Sequence, residues 1–168
     1  GVGPGTGASV ARRFAAAGYR TALLARNENR LNELASELPD SNAFVCDVTD
    51  SEALAQVVEA AGPVDVVVHN AVGGGWGTFS EIEPAMLENN FQVNVMALLH
   101  LARLTTPSMV QAGKGALIVT GNTSALRGRA PFAGFAPTKA AQRILAESMA
   151  RELGPKGVHV AYLVIDAV

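Results

Sequence analysis

Short apolar runs alternate with helix-length segments along the whole chain, and this strand-then-helix order is the strongest constraint on how the chain can fold. Val64 to His69, with four valines around Asp65, reads as a strand buried on both faces. Further strands are expected at Arg20 to Ala25, Ala43 to Cys46, Ala116 to Thr120 and Val158 to Ile165. Helical patterns separate them. Val10 and Phe14 lie one turn apart in an alanine-rich stretch from Ser9 to Ala17, with Gly18 as its stop. Leu31, Leu34 and Leu38 form one stripe behind a capping Asn27, and Pro39 ends that helix. Thr49 and Glu52 read as a capping-box pair, opening a helix that turns Leu54, Val57 and Val58 inward and stops at Gly62-Pro63. Ala140 to Leu153 is the last expected helix, with a Glu147 to Arg151 pair on one face.

This order argues for an α/β fold with a doubly wound parallel sheet, helices on both of its faces and right-handed crossovers, in a single domain over residues 1–168. A chain of this length buries roughly 70 % of the surface its unfolded form exposes, enough for one core. Hydrophobic residues at 49 % and charged residues at 17 % suit elements covered on more than one side and exclude disorder as the dominant state. From Ala85 to about Val110 the chain is apolar on nearly every side, through Val93, Val95, Met96, Leu98, Leu99 and Leu101, so it needs cover beyond one sheet face and points to a subunit contact. The 13 basic and 15 acidic residues nearly cancel, leaving no basic field for nucleic acid. No apolar run approaches the roughly 18 residues of a membrane span, and a cytoplasmic protein is expected. The single Cys46 allows no internal disulfide and no cysteine cage, and no metal site is expected. Gly1 opens inside a glycine run and the last strand stops just short of Val168, so both ends read as truncated, which should leave sheet edges unpaired and an isolated chain poorly stable.

In such sheets ligands bind at the carboxyl ends of the strands. The informative loops are therefore Gly1 to Gly7, Arg26, Asp47, Asn70 and the stretch Thr120 to Phe135. Gly1-Val2-Gly3-Pro4-Gly5-Thr6-Gly7 precedes a helix, and bare glycines let a diphosphate approach main-chain N–H groups at the positive end of that helix. A flexible turn is the plainer alternative. A Gly-Lys-Ser/Thr ending is missing, which removes a P-loop, while a methyltransferase also carries G-x-G-x-G. The next strand ends Leu24-Ala25-Arg26, without the carboxylate that holds two ribose hydroxyls. An uncharged Ala25 followed by a guanidinium suits a 2′-phosphate, so NADP(H) is favoured over NAD(H), with a solvated arginine as the alternative.

Taken together, these residues resemble the short-chain dehydrogenase/reductase family along the whole chain. Gly1, Gly5 and Gly7 match its T-G-x-x-x-G-x-G loop, with the leading Thr absent and Thr6 between the last two glycines. Cys46-Asp47-Val48 looks like its adenine-contacting strand end, Asn70-Ala71 like the start of its N-N-A-G segment, Asn94 like its helix asparagine and Lys139 like the lysine of its Y-x-x-x-K. The resemblance implies a Rossmann-like fold, NAD(P)(H) at Gly1, Gly5, Thr6, Gly7, Arg26, Asp47, Val48, Asn70, Ala71 and Lys139, hydride transfer involving a small carbonyl or alcohol substrate, and a homo-dimer or homo-tetramer.

The family's catalytic pattern is broken here. In the family a tyrosine handles the proton, the lysine lowers its pKa and holds the nicotinamide ribose, a serine about 13 residues upstream polarises the carbonyl, and the asparagine orders a water. Four residues before Lys139 stands Phe135, whose ring has no exchangeable proton. Thirteen further back stands Asn122, beside Thr123 and Ser124, any of which can donate a hydrogen bond to a developing oxyanion. The expected catalytic set is thus Lys139, Asn94, Asn122 and Thr123, with a solvated lysine and a surface amide as the plain readings of the first two. Tyr19 and Tyr162, the only tyrosines, are expected far from this loop, and His69 is expected as a satisfied near-core residue, with a position facing the cofactor as the alternative. Val72 replaces a family glycine, Ile165-Asp166 a Pro-Gly, and Pro137 is tolerable only near a helix start. Two functions remain open: an NADP(H)-dependent oxidoreductase with a non-standard proton donor, and a catalytically silent dinucleotide-binding subunit or sensor. A methyltransferase is disfavoured by the missing strand-end carboxylate.

Overall fold

A computed structural model describes residues 1–166. They divide into two compact units, Gly1–Gly62 and the residues from Pro63 onward, each with its own parallel sheet.

The first unit contains α1 (Thr6–Ala16), β1 (Thr21–Ala25), α2 (Glu28–Glu37), β2 (Ser41–Val45) and α3 (Ser51–Ala61). β1 and β2 pair in parallel, Thr21 opposite Ser41 and Ala25 opposite Val45. Ala8 and Ala11 of α1 pack with Leu23, Leu31 and Leu34, so the expected leucine stripe of α2 closes this core. Asn27 caps α2 as expected, its Oδ1 accepting from the Arg30 N–H at 3.0 Å. β2 lies earlier than expected, and Cys46, just beyond it, continues the ladder by donating its N–H to the Ala25 carbonyl at 3.0 Å. The cap of α3 also differs from expectation. Asp50 accepts from the Glu52 and Ala53 N–H groups at 3.1 and 3.0 Å, because its carboxylate reaches two free donors at the positive helix end, while Thr49 is taken by Asp47.

The second unit contains β3 (Val66–His69), α4 (Pro84–Phe91), α5 (Ala97–Ala112), β4 (Gly115–Thr120), α6 (Ala136–Leu153) and β5 (Val158–Leu163). The sheet order is β3-β4-β5, all parallel, with Val66 opposite Ala116 and Gly115 opposite Val158. Leu98 and Met109 of α5, Leu117 and Val119 of β4 and Met149 of α6 meet in its core. The apolar stretch from Ala85 to Val110 is not one regular helix: a π-helical turn, Gln92–Met96, joins α4 to α5. Helix α6 starts four residues before its expected beginning, which puts Pro137 in the first turn, where a missing N–H has no helical partner to lose. Among the described residues no helix is long and apolar enough to cross a membrane.

Candidate active site

In the first unit the glycine loop runs beside β1, the Val2 N–H donating to the Leu24 carbonyl at 3.0 Å. Gly5 caps α1 without a side-chain hydrogen bond. The Ala8 and Ser9 N–H groups turn back to the Gly3 and Gly5 carbonyls, while those of Thr6 and Gly7 meet no acceptor among the described residues. A Cβ built on Gly3 or Gly5 would meet nothing within 4 Å, so packing within the protein does not demand these glycines. Open space over free N–H groups at a helix start is what a diphosphate requires, and the loop fits that group. Arg26 and Asp47, at the ends of adjacent strands, approach to 3.8 Å with the Arg26 side chain 78 % exposed. Such a pair holds Arg26 weakly and leaves it available to a phosphate. Hydrogen bonds from the Thr49 main chain and hydroxyl hold the Asp47 carboxyl below its usual range, with a smaller contribution from Arg26. Val48 is half-buried beside it.

The second unit gathers the other expected residues. Asn70 and Ala71 follow β3, and the Thr120 hydroxyl donates to Asn70 Oδ1 at 2.8 Å. Asn94 is fully buried on the π-helical turn. Its Oδ1 accepts from the Gly73 N–H at 2.9 Å, and its Nδ2 donates to the Gly73 carbonyl at 2.9 Å and to Thr138 Oγ1 at 2.8 Å. The Asn94 side chain therefore pins the loop after β3, at Gly73, to α6. The approach is tight: a Cβ on Gly73 would come within 2.9 Å of Asn90 Oδ1. On the same turn two main-chain groups take side-chain partners, the Asn94 carbonyl accepting from Gln142 Nε2 at 2.6 Å and the Val93 main chain bonding His69.

Lys139 is 2 % exposed, and its Nζ donates to the Thr120 carbonyl at 3.1 Å and to Gln142 Oε1 at 2.5 Å. Burial pulls its pKa down to about 8. It is thus an inward-facing cation at the carboxyl end of β4, not the solvated lysine of the plainer reading. Phe135 is buried at the start of α6, its ring centroid 5.5 Å from that of Trp76. Asn122 and Thr123 do not point free: Asn122 Oδ1 accepts from the Ser124 N–H at 2.8 Å, its Nδ2 donates to the Ile165 carbonyl at 3.2 Å, and the Thr123 hydroxyl donates to Asp166 at 2.9 Å. These two side chains tie the turn after β4 to the segment after β5. Arg127, Arg129, Leu126, Phe132 and Pro137 line an adjoining groove of about 370 Å³.

Three placements differ from expectation. Tyr162 lies against this loop, its hydroxyl donating to the Lys139 carbonyl at 3.3 Å and accepting from the Asn122 N–H at 3.4 Å. The parallel register sets Tyr162 opposite Val119, and Gly121 leaves room for its ring, in which a Cβ would collide. His69 is buried as expected but not satisfied, because its Nε2 has no partner among the described residues, and burial pushes its pKa down to about 3, keeping it neutral near pH 7. Gln142 was not among the expected site residues. Its spacing of three from Lys139, which places both on one helix face, was the available signal.

Residues 1–167 match the family described as short chain dehydrogenase, and the chain belongs to that family. It is 32 % identical over 161 residues to D-erythrulose reductase of Gallus gallus, and 30 % identical over 161 residues to L-xylulose reductase of Mesocricetus auratus. Each of these alignments covers 95 % of this chain, and 65 % and 66 % of the respective relative, so the chain spans just under two thirds of their length. A short-chain dehydrogenase structure from Rhodopseudomonas palustris is 31 % identical with a TM-score of 0.94, covering 99 % of this chain and 82 % of that one. A metagenomic short-chain oxidoreductase solved in complex with NADP is 30 % identical with a TM-score of 0.88, covering 96 % and 77 %. The α/β fold of these neighbours, with parallel sheets and helices, is the Rossmann-like fold expected for the chain.

Proposed function

We propose that this chain is part of an NADP(H)-dependent oxidoreductase that interconverts a carbonyl and an alcohol in a small molecule, with the proton coming from a source other than side chain 135. Residues 1–168 are read as part of one nucleotide-binding domain of a homo-dimer or homo-tetramer. The observation that carries the reading is Lys139: a buried cation anchored by two neutral acceptors at a strand's carboxyl end, with no carboxylate within salt-bridge distance among the described residues. A buried ammonium without an anion is costly, and a third donor left for a ribose hydroxyl gives that cost a use. NADP(H) would supply the hydride. Thr6 and Gly7 would offer main-chain donors to the diphosphate, Gly1 and Gly5 would leave it room, and Arg26 would take the 2′-phosphate beside Asp47 and Val48. Asn70 and Ala71 would border the ring system. Asn122 and Thr123 would give up their present partners to donate to the substrate oxygen, and Asn94 would hold the loop and helix that flank it. The reductases and the hydroxysteroid dehydrogenase among its relatives support a carbonyl or alcohol substrate.

Phe135 favours a second reading, a dinucleotide-binding subunit without catalysis, because a buried phenyl ring stands four residues before Lys139, where the resemblance to the family puts a proton donor. Trp76, 65 % exposed and in edge contact with Phe132, gives a fluorescence signal for NADPH binding to the full chain. Quenching together with turnover on a carbonyl and alcohol panel supports the first reading, quenching without turnover supports the second, and no NADPH binding overturns both.

A further inference from the structure

Gln142 is fully buried on α6, one turn beyond Lys139, and its amide is bracketed by two groups of opposite character. The Asn94 carbonyl, which can only accept, receives Nε2 at 2.6 Å. Lys139 Nζ, which can only donate when charged, gives a proton to Oε1 at 2.5 Å. Reversing the amide would face donor to donor and acceptor to acceptor, so its orientation is set by its partners and not by convention. The Asn94 carbonyl lies on the π-helical turn between α4 and α5, and a backbone carbonyl has two lone pairs, so it can accept a side-chain donor there.

We infer that Gln142 is a positioning residue that aims the Lys139 ammonium and holds it protonated, using the Asn94 carbonyl as its anchor. This rests on the reading of Lys139 as a ligand-binding cation. A short charge-assisted hydrogen bond favours the charged lysine, and an amide can provide it without the neutralising charge of a carboxylate. Of the titratable groups nearby, His69 on β3 feels the Lys139 charge and Tyr162 on β5 bonds the Lys139 main-chain carbonyl, both neutral near pH 7. β4 presents the Thr120 carbonyl and the π-helical turn presents the Asn94 carbonyl through Gln142, while Arg143 and Glu147 on α6 pair with each other. Gln142 is thus the side chain that discriminates between the two protonation states of Lys139.

The test is a pH titration of the Lys139 side chain by NMR in the full chain with isotope-labelled lysine, assigned by comparison with Lys139→Arg. Gln142→Met keeps the length and removes the acceptor, and it should lower the titration midpoint by at least about one pH unit, a tenfold loss of proton affinity. Gln142→Glu should raise the midpoint. Midpoints unmoved in both variants overturn the proposal. In the unaltered protein the Lys139 ammonium protons should exchange slowly and show a contact to the Gln142 side chain, and freely exchanging protons there overturn it even where a variant does not fold. The pH at which NADPH affinity begins to weaken should fall with the midpoint in Gln142→Met. If the unaltered protein binds no NADPH, the proposed function fails, whereas the Lys139 titration still decides the role of Gln142.

Discussion

In the proposed function Arg26 and Lys139 bind the cofactor and Phe135 stands in place of a proton donor, and each makes a separate prediction. Arg26 stands exposed beside Asp47 with only a loose contact, so Arg26→Ala should leave the fold intact. The variant should lose roughly 1.5–3 kcal/mol of NADPH affinity, the value of charge-assisted hydrogen bonds to a phosphate, while NADH affinity is spared. Fluorescence titrations with both cofactors check this, and equal losses would remove the 2′-phosphate assignment. Phe135→Tyr puts a phenol one helical turn from the Lys139 ammonium, which lowers its pKa. General acid catalysis contributes about 10²- to 10⁴-fold, so carbonyl reduction should rise by that order if the proton donor alone is missing. A parent that already turns over, and that the phenol does not improve, has another proton source.

Lys139 makes a prediction about stability and pH. Its pKa falls from 10.5 to about 8 on folding, so between those values the unfolded chain binds more protons and stability rises with pH. Below about pH 8 the buried charge costs about 3 kcal/mol, a cost that Lys139→Met does not carry. Urea unfolding at pH 7.5 and pH 10 should therefore show the parent gaining on the variant at the higher pH. An unchanging difference would mean that Lys139 is solvated.

At the scale of elements, the turn after β4 depends on an empty position. Gly121 leaves the space in which the Tyr162 ring lies, and that ring's hydroxyl bridges α6 and the Asn122 N–H. Gly121→Ala should cost about 1–3 kcal/mol by overpacking and displace Tyr162, visible as a lower melting temperature together with altered tyrosine fluorescence. An unchanged melt would show that the strand end shifts freely. Which elements form was legible from local pattern: the Asn27 cap, the leucine stripe of α2 and the apolar strands all appear where their residues place them. The boundaries moved where competition between neighbours decided them, as when Asp50 displaced Thr49 at the cap of α3 because Asp47 had already engaged the threonine. The π-helical turn was not legible, since nothing in Gln92 to Met96 departs from an apolar helical pattern. At that turn Asn94, His69 and Gln142 each meet a buried partner.

For the whole molecule, the prediction is self-association. Leu104 on α5 and Ile144 on α6 are 38 % and 50 % exposed, on the two helices whose other faces cover the β3-β4-β5 sheet. An isologous contact through these helices would bury them. Light scattering of the full-length protein at micromolar concentration should report a dimer or tetramer, and Leu104→Asp with Ile144→Asp should shift it toward a monomer. A strictly monomeric parent would refute the contact.

By itself the sequence determined what depends on neighbours along the chain: the alternation of strands and helices, the glycine loop opening α1, the arginine after Ala25, and the absence of a phenol four residues before Lys139. These are legible because periodicity, caps and motif spacing are local properties. Only tertiary structure decided that Tyr162 lies against the Lys139 carbonyl, that Asn94 spends its amide on Gly73 and Thr138, and that Gln142 holds the lysine. Except for Gln142, one turn from the lysine, these pairings join residues as many as 44 positions apart, and each is set by where a buried donor finds its acceptor once strands and helices have packed.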